Sequence, residues 1–412
     1  MYYMSPIKIA VISDLHVGLA AKSKDMCPCP HKSKVDDLKT YEKKMENFKG
    51  TFLKFIEDKN ITAEYLIIPG DITDRAHPEQ ARLASDFIQE AVAKLKVDKS
   101  NIIVVPGNHD VDWKMYDIED DTGISWGLRY AALSSKKFIF TGHVENGRKN
   151  LFETPYFSSW NYENLFILGY NSSSHDNPTE NNHRGLISTS HIAEIRKYLT
   201  SLGIAQDKVK IFVTHHHLTN LSLPIPDDPD FSIATNANEI IELLKEMKFD
   251  LIIHGHRHHP FFDDNLFRLP ILCAGSFSAE IDTKWNGKIQ NQFHLIEIDD
   301  RTNGHVQGYI KSWANTIGGW SPSNGTYTGI DHIVPFGSNL TDTEIKMHLF
   351  PLMVMELKQK KIISWNAIIE KFKECKYLTP KKIEYILSLF STTEKTTCHR
   401  TDNGNYIVFR ED

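Results

Sequence analysis

The 412-residue sequence predicts an α/β fold in which β-sheets are layered with helices, followed by a smaller helical unit at the C-terminal end. Three observations point there. Short aliphatic runs recur along most of the chain, amphipathic helical patterns fall between several of them, and beyond residue 340 the pattern changes to helices followed by two short strands.

The aliphatic runs are Ile7 to Ile12, Tyr65 to Ile68, Ile102 to Val105, Leu165 to Leu168, Lys210 to Val213, Phe249 to Ile253 and Leu269 to Cys273. Each lacks polar alternation and ends in turn-forming or polar residues, the pattern of a strand buried on both faces. Tyr41 to Lys59, Pro78 to Lys96 and Ile192 to Leu202 repeat apolar residues at helical spacing. Asn291 to Asp299 and His305 to Trp313 read as two strands without a helix between them, an antiparallel addition to the sheet system. Residues 317–340, rich in Gly, Ser, Asn, Thr and Pro, read as a linker between a domain at 1–316 and one at 341–412. In the last segment, Asp342 to Lys360, Ser364 to Cys375 and Pro380 to Phe390 read as helices, the third capped by Thr379. Thr396 to Arg400 and Tyr406 to Arg410 then flank Asp402-Asn403-Gly404-Asn405, a hairpin signal. Three helices and a hairpin resemble a winged helix.

Hydrophobic residues make up 41% of the chain and charged residues 24%, an ordinary globular balance. The net charge of -6 argues against polyanion binding by the molecule as a whole, so any such site is local. No run approaches the roughly 20 apolar residues of a membrane span, and no membrane partner is expected. Too few residues precede Ile7 for an export signal, and five scattered cysteines are unlike a disulfide framework, so the expected compartment is cytoplasmic.

Metal-capable side chains follow successive strands. The first ends in Ser13-Asp14-Leu15-His16, the second in Pro69-Gly70-Asp71-Ile72-Thr73-Asp74-Arg75, and the third in Pro106-Gly107-Asn108-His109-Asp110. Two later strands end in Thr214-His215-His216-His217 and His254-Gly255-His256-Arg257-His258. Because the carboxyl ends of strands in an open α/β sheet share one edge, these segments converge on one place. Oxygen and imidazole donors together suit manganese, iron or zinc and disfavour copper(I), which prefers sulfur. Gly70, Gly107 and Gly255 would relax the backbone where the chain leaves each strand.

Asp-x-His, Gly-Asp-x-x-Asp-Arg, Gly-Asn-His-Asp, a His-His pair and Gly-His-x-His, in this order, resemble the calcineurin-like metallophosphoesterase family over roughly residues 7–313. The resemblance implies a four-layer α/β/β/α sandwich and two divalent metal ions. By position, Asp14, His16 and His258 would hold one ion, Asn108, His215 and His256 the other, and Asp71 would bridge them. It also implies His109 as the acid for the leaving oxygen, Asp74 as its orienting partner and Arg75 as a phosphate grip. A pair of ions would acidify the attacking water and neutralise phosphate oxygens.

His216 is expected behind these ligands, and His217 and His259 read as packing or solvent-facing residues. Asn171, His175, His183 and Arg184 read as a solvated loop rather than as substrate contacts. Cys27, Cys29 and His31 offer two thiols and an imidazole, but the spacing is tighter than a zinc knuckle and a fourth ligand is missing, so a constrained loop is the expectation.

Gly169-Tyr170-Asn171 and Gly185-Leu186-Ile187-Ser188 resemble the cyclic-nucleotide phosphodiesterase and exonuclease branches, which favours a phosphodiesterase acting on cyclic nucleotides or other nucleotide-type diesters. The alternative is a DNA nuclease that binds nucleic acid through residues 341–412. The 12 Lys/Arg against 11 Asp/Glu in 331–412 support that only weakly, and a protein partner there is an equal expectation. A non-catalytic scaffold of the same fold would lose ligands, and none is missing here.

Overall fold

The computed structural model describes residues 6–18, 23, 25–26, 35–115, 129–134, 156–176, 184–204, 207–220, 232–264, 269–281, 289–302, 305–325, 329–401 and 404–410. Cys27, Cys29, His31 and His183 lie outside the described residues. The fold is mixed α/β, and the chain divides into two compact units: Ile7–Glu297 with Lys311–His332, and Ile298–Ile310 with Ile333–Asp412. No described helix is long and apolar enough to cross a membrane.

One sheet contains β1 (Ile7–Val11), β2 (Tyr65–Ile68), β3 (Ile102–Val104), β10 (Gln292–Thr302), β11 (His305–Thr316) and β12 (Gly319–Pro322), in the order β12-β11-β10-β1-β2-β3, with β13 (Ile333–Phe336) paired to β11. β1 to β3 run parallel and set Val11 beside Ile67 and Ile68 beside Val104, so their carboxyl ends are level. The second sheet has the order β4-β5-β6-β7-β9-β8, from Phe157–Asn161, Leu165–Tyr170, Val209–Thr214, Leu251–His254, Ile271–Ala274 and Pro260–Asp263. Its central β5, β6, β7 and β9 are parallel. β5, β6 and β7 are buried along their whole length, which is why they carry no polar alternation.

Helices cover each sheet. In α1 (Val35–Asp58) the Phe52 ring packs on Phe277, Phe293 and Trp320, with centroids 4.7, 5.2 and 5.1 Å away. α2 (Pro78–Leu95) starts with His77 accepting from the Glu79 N–H and Pro78 at its first position, and ends at Lys96 in the left-handed region. α3 (Thr189–Leu202) is capped by Ser188 and stopped by Gly203 at φ 55°. α4 (Ala237–Glu246), which the sequence reading passed over, buries Ile240, Ile241, Leu243 and Leu244. Those residues join Ile195, Leu199, Phe166 and Phe212 in one core.

Within the segment read as a linker, Gly319–Pro322 and Ile333–Phe336 are strands. Trp320 pairs with Asn315 and is buried, so edge pairing there overrides a turn-rich composition.

In the C-terminal unit, α5 (Phe350–Lys360) continues from Asp342–Glu344 through a wide turn at Ile345–Leu349. Then come β14 (Ile362–Ser364), α6 (Trp365–Lys371), α7 (Pro380–Glu394), β15 (Thr396–Arg400) and β16 (Tyr406–Arg410). The three strands pair antiparallel in the order β14-β16-β15. Leu349, Met353, Trp365, Ile386, Phe390 and Val408 form the unit's own core. Lys376 meets the Asp299 carboxylate at 3.1 Å, and the Tyr377 hydroxyl donates to the same oxygen at 2.9 Å, which ties the β10 end to the helices.

Candidate metal centre

The loops after β1 and β2 continue the parallel ladder past the strands themselves. The Asp14 N–H donates to Gly70 O at 3.1 Å, His16 N–H to Asp71 O at 2.9 Å, and Val17 bridges Thr73. Asp14, His16 and Asp71 hold φ of 53°, 44° and 51°, and His256 and His258 hold 77° and 54°. Left-handed backbone is costly for residues with a Cβ and persists only where the surroundings enforce it. Five such residues in one place mark it as a site whose side-chain directions outrank backbone comfort.

Those side chains form two donor groups that share one oxygen. His16 Nε2, His258 Nε2 and Asp14 Oδ1 face one another, with His16 to His258 at 2.9 Å and His258 to Asp14 at 3.3 Å. His215 Nε2, His256 Nδ1 and Asn108 Oδ1 form the second group at 3.1 to 3.3 Å. Asp71 Oδ2 lies 3.5 Å from His16 Nε2 and 3.3 Å from His215 Nε2, so a single carboxylate oxygen looks into both groups. Asp14, His16, Asp71 and His258, and separately Asp71, His215 and His256, have the spacing to enclose a cation.

The charge states of Asp71 and His256 suit that use, while His215 must first give up a proton. Burial pushes the Asp71 carboxyl up, but His215, His109 and His16 outweigh it and hold it well below the usual carboxylate range. Burial and the neighbouring His216, His215 and His217 keep His256 well below the ordinary imidazole value, so its nitrogen is an available donor. Burial opposes charge on His215, yet Asp71 above all carries it up to about 9. Its Nδ1 faces Pro69 O at 2.8 Å, which leaves Nε2 for the ligand position.

His109, Asp74 and His16 make a third cluster. His109 Nδ1 is 2.7 Å from the Asp74 main-chain carbonyl but 3.9 Å from its carboxylate, so the backbone of Asp74 makes the close contact. The Arg75 side chain is 81% exposed, with Nε 3.4 Å from Asp74 Oδ2. His216 Nδ1 meets Ser172 Oγ at 2.8 Å, while His217 and His259 are buried. Asn171 is also buried and exchanges hydrogen bonds with Tyr130, so it is a fastening of the loop rather than a solvated residue. His175 and Arg184 are exposed.

Several contributors escaped the sequence reading. Asp110 accepts from the Gly107, Ile72 and Thr73 N–H groups at 2.9, 3.2 and 2.8 Å, stitching the β2 and β3 loops together. Burial and Asp71 push its carboxyl up to about 6. Ser13 Oγ donates to Asp14 Oδ2 at 2.5 Å, and Ser276 Oγ to Asp14 O at 2.8 Å. The rule that polar residues after a buried strand serve the site, applied to Ser276 beyond the Leu269 to Cys273 run, finds that last contact.

A family model described as calcineurin-like phosphoesterase matches residues 7–260. The chain belongs to this family. Family membership implies hydrolysis of phosphate esters, and with the two donor groups it points to a binuclear divalent metal site. No curated protein sequence gives a significant match. Among solved structures, a dimetal phosphatase from Danio rerio is similar at 13% identity and TM-score 0.47, over 74% of this chain and 95% of that one. A purple acid phosphatase from yellow lupin (Lupinus luteus) seeds is similar at 15% identity and TM-score 0.42, over 77% of this chain and 53% of that one.

In this phosphoesterase the glycines beside the site serve close approach more than turn geometry. Of the three, Gly70 has left-handed backbone at φ +99°, while Gly107 sits at φ -99°. A Cβ on Gly107 would lie 2.1 Å from Asp71 Oδ1, and one on Gly255 would lie 2.4 Å from Asp14 Oδ2. Gly107→Ala is therefore expected to displace Asp71, cost about 1–3 kcal/mol in urea unfolding and lower metal content. Unchanged stability and metal content would show that the loop yields freely.

A pH dependence of loading follows from His215. Its raised value means the proton is held below about pH 9 and must leave before Nε2 binds a cation. Metal addition near pH 7 should release protons to an indicator dye, and apparent affinity should weaken as pH falls. Loading that is independent of pH over this range would contradict the assignment of His215.

Proposed function

We propose that the protein is a phosphodiesterase acting on nucleotide-type diesters, cyclic nucleotides among them. The observation that carries this reading is Arg75, which is turned to solvent and lies against Asp74. A doubly charged monoester calls for an additional cation at its phosphate oxygens, whereas a singly charged diester does not. Asp74 already answers the charge of Arg75, which favours the diester over the phosphate grip first expected of this side chain.

Asp14, His16 and His258 would hold one ion and Asn108, His215 and His256 the other, with Asp71 between them. When bound, the ions supply Lewis acidity that lowers the pKa of an attacking water and neutralises phosphoryl oxygens. Manganese, iron and zinc all fit the oxygen and imidazole donors. The His109 N–H donates to Asp71 Oδ1 at 2.9 Å and its Nδ1 donates to Asp74 O, so Nε2 is the atom that would protonate the leaving oxygen. Ser13 holds the Asp14 carboxylate, Ser276 holds the Asp14 main-chain carbonyl, and Asp110 holds the loops after β2 and β3.

The phosphoesterase domain is assigned to 1–316 as a four-layer α/β/β/α sandwich, joined through 317–340 to a winged-helix-like unit at 341–412. The order helix, strand, helix, helix, strand, strand supports that likeness. Lys382 faces Asp342 at 3.4 Å and Arg400 faces Glu384 at 3.8 Å, pairings that favour a protein partner over nucleic acid.

The test is a manganese-supplemented screen over a chromogenic monoester, a chromogenic diester, cyclic nucleotides, and single- and double-stranded DNA. The diesters are expected to give the higher kcat/KM. A monoester preference overturns the reading, and salt-dependent DNA affinity that is lost on removing 341–412 replaces it with the nuclease alternative.

A further inference from the structure

We propose that Arg129 is a positioning residue that fastens the loop after β3 to the loop after β5 and thereby holds His109 in place for proton transfer. Arg129 is 7% exposed. Its Nη1 and Nη2 donate to the main-chain carbonyls of Ser174 and Asp176. Its own carbonyl accepts from the Asp112 N–H at 2.8 Å, and the adjacent Tyr130 hydroxyl exchanges hydrogen bonds with the Asn171 amide at 3.0 and 3.1 Å.

Both ends of this strap reach the metal centre. On one side Asp112 leads to Trp113, whose indole N–H donates to Asn108 O at 3.1 Å and whose ring centroid is 6.1 Å from that of His109. On the other side, Ser172 Oγ touches His216 Nδ1 at 2.8 Å, and the His216 ring lies 4.3 Å from that of His256. A planar guanidinium can serve two carbonyls at once in fixed directions, which the single ammonium of lysine cannot reproduce. Without it, the Ser174 and Asp176 carbonyls lose their donors, and the Arg129 main chain that accepts from Asp112 loses its tie to the loop after β5.

The inference rests on the reading of His109 as the acid, and the test separates the two. Diesters with a p-nitrophenyl and with an alkyl leaving group are compared in wild type, His109→Ala, Arg129→Ala and Arg129→Lys, all loaded with manganese. Protonation matters for the alkyl group and little for p-nitrophenolate. His109→Ala tests the acid: an equal fall on both substrates removes that role. For Arg129→Ala the expected result is a kcat loss of about tenfold or more on the alkyl diester. The loss on the p-nitrophenyl ester should be much smaller, with metal content unchanged and partial recovery on adding guanidinium. Arg129→Lys should show the same discrimination, and it decides the matter if Arg129→Ala does not fold. Wild-type kcat on both substrates, or an equal fall on both, in the folded variants overturns the positioning role.

Discussion

Asp71→Asn is expected to lower kcat/KM by well over about 100-fold, since even residues behind metal ligands cost 10–100-fold when changed. The geometry explains why this residue outweighs its neighbours. One oxygen, Oδ2, lies 3.5 Å from His16 Nε2 and 3.3 Å from His215 Nε2, while Oδ1 accepts from the His109 N–H at 2.9 Å. An amide cannot satisfy both duties. With its oxygen toward His109 it turns an NH2 into the space shared by the two groups, and with its oxygen toward that space it sets NH2 against an N–H donor. Loss of the negative charge also removes the main influence that raises His215. Metal content by elemental analysis should fall with activity while far-UV circular dichroism stays native. Retained turnover and full metal content would sink the bridging role.

His109→Ala is expected to lower kcat by about 10²–10⁴-fold on esters with alkoxide leaving groups, the usual range for a positioned acid. Metal content should be unchanged, because the ring Nδ1 is engaged by the Asp74 carbonyl and the contact to the Asp71 carboxylate is made by the main-chain N–H, which alanine keeps. The side chain is 13% exposed, enough to meet a substrate entering from solvent. The pH profile should lose its basic limb, since protonated imidazole is the working form. An unchanged profile would assign the acid elsewhere.

The strands and the clustering of the candidate donors were legible for the same reason. A strand buried on both faces is written as an unbroken aliphatic run, as in Ile7 to Val11, and the first polar residue after it marks where the backbone reaches the sheet edge. The motif order then places Asp14, His16, Asp71, Asn108, His215, His256 and His258 at that edge, and the structure brings these candidate side chains together. Helix α4 is less legible although Ile240, Ile241, Leu243 and Leu244 carry the helical pattern, because it spans only 10 residues and Asn236 before it makes no side-chain cap bond. Gly319–Pro322 and Ile333–Phe336 were illegible for a physical reason: edge strands take their pairing from neighbours, and their own composition reads as turn.

By itself the sequence determined the α/β class and the family motifs and pointed to the seven candidate donors, all of which depend on local pattern and order along the chain. Only the tertiary structure decided which Asp71 oxygen faces both groups. It also decided that the backbone of Asp74 holds His109 at close range, that Arg75 points to solvent, and that Asp110, Ser276 and Arg129 tie the loops together. These are contacts between segments distant in sequence, set by how the strands stack and by φ values that no residue-by-residue propensity favours.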